Sequence, residues 1–172
     1  MTSYKELLRK VKAFAFDIDG VFTDGIIFPY AEDLLRGLNA KDGFAVQYAI
    51  KKGYNVFIIT GGKSPFVKET LEDLGVTEVH LASSNKLAVY TDIKNRYNLN
   101  DEDFVYMGDD LPDYQVMKQV GVAVCPQDAV EEIKRISHYQ SPLVGGRGCV
   151  RDIIEQTLRV QDHWFHEEAF TW

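Results

Sequence analysis

Four short apolar runs constrain this 172-residue chain more than any other feature: Ala13-Phe14-Ala15-Phe16, Tyr54-Asn55-Val56-Phe57-Ile58-Ile59, Phe104-Val105-Tyr106-Met107 and Val122-Ala123-Val124. Each is too short for a stable helix and nearly unbroken by polar residues, which is how strands buried on both faces read. Between and around them lie helix-like stretches at 4–9, 41–52, 65–74, 85–97, 114–119, 129–135 and 147–158, two of which stop at Gly53 and Gly75, with a further strand at 78–81. This alternation predicts an α/β fold: a doubly wound, mostly parallel sheet with helices on both faces.

Most of these runs close on residues that carry chemistry. The first ends in Asp17-Ile18-Asp19-Gly20, and side chains two residues apart on a strand share one face, so both carboxylates can converge on one ligand. In open α/β sheets the carboxyl ends of the strands face the ligand crevice. The second run ends in Thr60-Gly61-Gly62, which offers a hydroxyl and exposed amides to an anion. Lys86 follows in Ser83-Ser84-Asn85-Lys86, and the third run ends in Gly108-Asp109-Asp110-Leu111-Pro112-Asp113. Singly, each has an ordinary reading: Asp-x-Asp-Gly as a turn, Thr60 as a helix cap, Lys86 as a solvated lysine, and Asp109, Asp110 and Asp113 as first-turn acids. Their order along the chain, acids, hydroxyl, lysine, acids, points instead to one site.

That order resembles the haloacid dehalogenase superfamily over residues 11–124. The resemblance implies a phosphatase in which Asp17 is the nucleophile that forms an aspartyl phosphate, and Asp19 the general acid and base. A carboxylate repels an anionic phosphate ester, so such a site needs a hard cation with oxygen ligands, and Mg²⁺ suits it. Asp17, the backbone carbonyl of Asp19, and Asp109 match the family's metal ligands; Thr60, Gly61 and Lys86 match the groups that hold the phosphoryl oxygens. Asp110 and Asp113 are then expected to orient Lys86 or a metal-bound water.

The spacing leaves no room for the cap domain that many members of that superfamily carry, because the gaps from Asp19 to Thr60 and from Thr60 to Lys86 are filled by predicted elements. The segment 21–38 instead reads as a projecting β-hairpin whose Ile26, Ile27, Phe28, Leu34 and Leu35 expose apolar surface suited to a partner. With Asp42-Gly43 and the glycine-rich Gly145-Gly146-Arg147-Gly148, the pattern resembles the capless phosphatases of 3-deoxy-D-manno-octulosonate 8-phosphate. That resemblance implies a homotetramer with shared active sites, a sugar acid phosphate as substrate, a link to lipopolysaccharide synthesis, and an Arg147 that approaches the active site. The same glycine segment also reads as a loop that starts the helix at 147–158. Gly62 departs from the arginine common at its position in octulosonate phosphatases. It equally lacks the glutamate of nonulosonate 9-phosphate phosphatases, the nearest rival reading. Lys63 and Arg36 are candidates to meet the sugar-acid carboxylate.

The length fits one phosphatase domain over 1–172, with a tail at 159–172. A net charge of −7 argues against nucleic acid as a partner, and no stretch is apolar enough to span a membrane, which suits a cytoplasmic protein. Cys125 and Cys149 lack metal spacing and read as buried free thiols. A receiver-type phospho-switch is disfavoured, because its phospho-acceptor closes a middle strand, and a non-catalytic relative sits poorly with intact Asp17, Asp19, Thr60, Lys86 and Asp109. In the tail, Trp164, Phe165, Phe170 and Trp172 are expected to pack on a neighbouring subunit, while His163, His166 and Glu167 only superficially suggest a metal site.

Overall fold

The computed structural model describes residues 3–30 and 33–172. Six strands form one wholly parallel sheet: β1 (Ala13–Phe16), β4 (Asn55–Ile59), β5 (Glu78–His80), β6 (Phe104–Met107), β7 (Val122–Cys125) and β8 (Tyr139–Gln140), in the order β5-β4-β1-β6-β7-β8. The two remaining strands, β2 (Phe28–Tyr30) and β3 (Asp33–Leu35), pair antiparallel as a separate hairpin.

Strand alternation builds two cores. Phe14, Phe16, Val56, Ile58, Val105 and Met107 face one side, where they pack with α2 (Ala40–Lys51), α3 (Pro65–Asp73) and α7 (Cys149–Val160). Ala13, Ala15, Phe57, Ile59, Phe104 and Tyr106 face the other, against α4 (Lys86–Arg96), α5 (Tyr114–Met117) and α6 (Glu131–Ile136). A short α1 (Tyr4–Leu7), continued by a 3₁₀ turn, leads into β1. The apolar runs are therefore continuous because both faces of each strand are covered.

One expectation needs correction, and another is met by the chain itself at Trp164. The hairpin is smaller than 21–38: Val21, Phe22 and Thr23 are buried in the core beside the Asp17–Asp19 turn, and only the two three-residue strands pair. Its expected polar turn includes Ala31 and Glu32, which lie outside the described residues. Ile26, Ile27, Phe28, Tyr30, Leu34 and Leu35 are exposed, as expected. The tail, in turn, lies on its own chain. Trp164 packs edge-on to Tyr48, Lys52 pairs with Glu168 at 2.8 Å, and the Tyr48 hydroxyl donates to the His163 carbonyl at 2.9 Å. His163 Nδ1 meets the Tyr54 hydroxyl and His166 Nδ1 meets Lys52, so the two histidines serve packing, while Phe165, Phe170 and Trp172 remain exposed. Strand β8 was not foreseen, since two residues carry no readable period. Cys125 and Cys149 are buried free thiols, as expected.

Candidate active site

The register of the sheet assembles the site. Phe16 of β1 lies level with Ile58 of β4 and Met107 of β6, so the three chemistry-bearing segments leave adjacent strands at nearly the same height. The Asp17 amide continues the ladder by donating to the Met107 carbonyl at 3.1 Å. At this end of the sheet a cleft of about 430 Å³ is lined by Asp17, Asp19, Thr60, Lys86, Asp109 and Asp110, among others.

Lys86 is the hub. It opens α4, where a cation is disfavoured by the helix dipole, yet it is buried with Nζ 2.9 Å from Asp17 Oδ2 and 2.7 Å from Asp113 Oδ1. Asn85 caps the helix by accepting from the Ala88 amide, which fixes where Lys86 departs. Burial works against the ammonium, but Asp17 and Asp113 outweigh it and hold its pKa above the ordinary lysine value. Asp113 is fully buried. It also accepts from the Tyr106 hydroxyl at 2.6 Å and from the Asp109 amide at 3.2 Å, so it fixes the lysine rather than facing the cleft. Asp110 does something else: its side chain accepts from the Leu111 amide at 2.7 Å and caps the 3₁₀ turn at Leu111–Asp113, so of the two alternatives expected for it, orienting Lys86 falls to Asp113.

The carboxylates of Asp17, Asp109 and Asp113 each offer an oxygen within 4.8 Å of the others. Burial and the Asp113 charge push Asp17 up to about 6 against the pull of Lys86, and burial with Asp17 and Asp113 pushes Asp109 up to about 8. Asp109 Oδ1 is buried without a hydrogen-bond partner. Excess negative charge around an unsatisfied carboxylate oxygen fits a hard divalent cation. Gly20 permits the arrangement: at φ +89° it lets Asp109 approach so closely that a Cβ would lie 2.0 Å from Asp109 Oδ2.

The other expected residues separate. Thr60 is buried at the cleft, and its Oγ1 accepts from the Gly62 amide at 3.1 Å; Gly61 lines the same wall. Asp19 lies across the mouth, paired to Arg36, whose Nε and Nη2 donate to its two oxygens at 2.7 and 3.0 Å. Arg36 thus addresses a protein carboxylate, not the open cleft. Lys63 is exposed and does not line the cleft. Arg147 borders a different surface depression, with Lys41, Arg151 and Arg159, and does not line the cleft of its own chain. The glycine-rich segment instead buttresses the first motif: a Cβ at Gly145 would lie 2.1 Å from the Gly20 carbonyl oxygen, and the Gly146 amide donates to the Val21 carbonyl. Tyr106 escaped the sequence reading. A tyrosine inside a strand buried on both faces needs a hydroxyl partner, and that was the available signal.

Comparison with known proteins decides the family. The family model for haloacid dehalogenase-like hydrolases matches residues 76–148. Over 154 residues the chain is 33% identical to the 3-deoxy-D-manno-octulosonate 8-phosphate phosphatase KdsC of Escherichia coli (strain K12), across 89% of this chain and 82% of that protein. This chain belongs to that phosphatase family. It is a phosphoric monoester hydrolase of the haloacid dehalogenase superfamily, with no cap domain among the described residues. The 3-deoxy-D-manno-octulosonate 8-phosphate phosphatase structure from Yersinia pestis superposes with a TM-score of 0.90 at 31% identity, covering 92% of this chain and 86% of that one. The phosphatase from Moraxella catarrhalis, solved with a magnesium ion, a phosphate ion and KDO, gives a TM-score of 0.90 at 27% identity, covering 96% and 94%.

Proposed function

We propose that this chain, acting as one domain, hydrolyses 3-deoxy-D-manno-octulosonate 8-phosphate with Mg²⁺ through an aspartyl phosphate on Asp17. The observation that carries this reading is the Asp17–Lys86–Asp113 chain beside Asp109 at the end of β1, in a protein whose relatives carry that substrate's name. Mg²⁺, held by Asp17, Asp109 and the Asp19 carbonyl, supplies charge neutralisation for the phosphoryl group when bound.

The chain's own groups do the rest. An Asp17 oxygen attacks phosphorus, the ester P–O bond breaks, and the departing sugar oxygen takes a proton from Asp19. Water then attacks the phosphoryl group and passes a proton to Asp19; the P–O bond to Asp17 breaks, and inorganic phosphate leaves. Lys86 and the Thr60 hydroxyl steady the phosphoryl oxygens throughout. Gly62 carries no acid that would mark the nonulosonate rival.

We infer a homotetramer in the cytoplasm that serves lipopolysaccharide synthesis; the exposed apolar hairpin supports the assembly. Among the described residues no helix is long and apolar enough to cross a membrane. A neighbouring subunit's glycine segment would bring an arginine at position 147 to the cleft. Phosphate release should be compared between octulosonate 8-phosphate and nonulosonate 9-phosphate. A higher kcat/KM for the octulosonate supports the assignment, and the reverse order refutes it.

A further inference from the structure

Arg36 follows the second strand of the hairpin, yet its side chain is only 3% exposed because the guanidinium folds down onto Asp19. Nε donates to Asp19 Oδ1 at 2.7 Å, Nη2 to Asp19 Oδ2 at 3.0 Å, and Nη1 to the Leu34 carbonyl at 3.0 Å. A two-pronged grip of this kind fixes a carboxylate in plane as well as in place. Thr23 adds only a long contact to Asp19 Oδ1 at 3.4 Å. The pair lies beside Gly62, where a Cβ would lie 3.3 Å from Arg36 Nη2, 3.4 Å from Thr60 Oγ1 and 3.5 Å from Asp19 Oδ2.

We propose that Arg36 is the positioning residue for Asp19: it holds the carboxylate where water attacking phosphorus in the Asp17-bound phosphoryl group delivers its proton. The proposal rests on the phosphatase reading above. Its distinctive consequence lies in the second half of the reaction. There a water oxygen bonds to phosphorus, the water proton goes to Asp19, and the electron pair of the broken P–O bond returns to Asp17. An Asp19 that swings freely slows this step more than it slows Asp17 attack on an ester with a good leaving group.

The test uses the full chain with Mg²⁺ and p-nitrophenyl phosphate, whose leaving group departs without a proton. Arg36→Ala and Arg36→Gln should lower kcat at least tenfold and lower KM in step, leaving kcat/KM within about twofold. A stopped-flow burst approaching one nitrophenolate per chain should appear. Arg36→Lys, which can make one of the two contacts, should recover part of kcat. Arg36→Gln, which keeps much of the side chain's length without the charged fork, keeps the proposal testable should Arg36→Ala not fold. A fall in kcat/KM parallel to kcat at constant KM would reduce Arg36 to a structural role and overturn the proposal, as would a kcat within twofold of wild type in both Arg36→Ala and Arg36→Gln. A wild-type protein with no Mg²⁺-dependent turnover would instead overturn the phosphatase reading, and this inference with it.

Discussion

Replacing Lys86 with methionine keeps the length of the side chain and removes its charge. Lys86 is 4% exposed at its side chain and separates Asp17 from the fully buried Asp113, so its loss leaves two carboxylates, with Asp109 nearby, uncompensated away from water. Removing one partner of a buried ion pair costs about 3–5 kcal/mol. The protein has one relief: Asp17, already raised to about 6, can take up a proton near neutrality. Doing so at pH 7 costs about 1.4 kcal/mol for each unit between its pKa and the solution pH, and removal of the lysine lowers even that cost. The penalty at pH 7 therefore falls at the lower end, about 3 kcal/mol. In a protein of this length that corresponds to a Tm lower by about 6–12 °C. At pH 5 the same substitution should cost less, because Asp17 and Asp109, raised to about 6 and about 8, already carry protons there. Thermal unfolding by circular dichroism after chelation measures both values. A Tm change under 2 °C at pH 7, or an equal loss at pH 5 and pH 7, would refute the electrostatic account of this hub. Turnover of p-nitrophenyl phosphate should fall by about 10²–10³, the usual consequence of losing one charge-stabilising donor.

Asp17→Asn should abolish turnover, and in an Arg36→Ala background the nitrophenolate burst as well, since an amide cannot form the acyl phosphate; retention of more than a few per cent of wild-type kcat would remove Asp17 as nucleophile. Stability of the chelated protein should fall as pH rises from about 4 to 8, because the raised pKa of Asp109 makes the folded state bind more protons than the unfolded chain across that window. Asp42, buried and raised to about 6, acts in the same direction, whereas Glu78, drawn down to about 2 chiefly by Arg96, withdraws its contribution as pH falls toward 2. Saturating Mg²⁺ should flatten the neutral side of this profile, and a denaturation series with and without EDTA that gave parallel curves would argue against the cation site. Charging the hairpin with Ile27→Asp and Leu35→Lys should break the assembly into smaller species that retain activity on p-nitrophenyl phosphate and lose it on the sugar acid phosphate. Light scattering showing a monomeric wild type would defeat the tetramer.

The sequence by itself determined the layered fold and most of the site. Unbroken apolar runs such as Phe104–Met107 have one stable environment, a strand covered on both faces, and the parallel topology then carries the run ends to one edge. The acids, hydroxyl and lysine were legible because strand ends are fixed points of the chain: Asp17, Thr60 and Asp109 needed no knowledge of side-chain packing to be placed near one another. Residues whose roles depend on distant partners were not legible in this way. The separate duties of Asp110 and Asp113 follow from a capping turn and from a tyrosine on β6, neither of which the local pattern reveals. Arg36 finds Asp19 across seventeen residues of chain, and Arg147 misses its own cleft because Gly145 and Gly146 press the segment against the first motif from outside. In the aromatic tail, composition alone does not separate Trp164, which found an acceptor surface on α2 of its own chain, from Phe165, Phe170 and Trp172, which stay exposed. Periodicity reports which face of an element is buried, whereas pairing between remote side chains is decided only when the tertiary structure sets their distances.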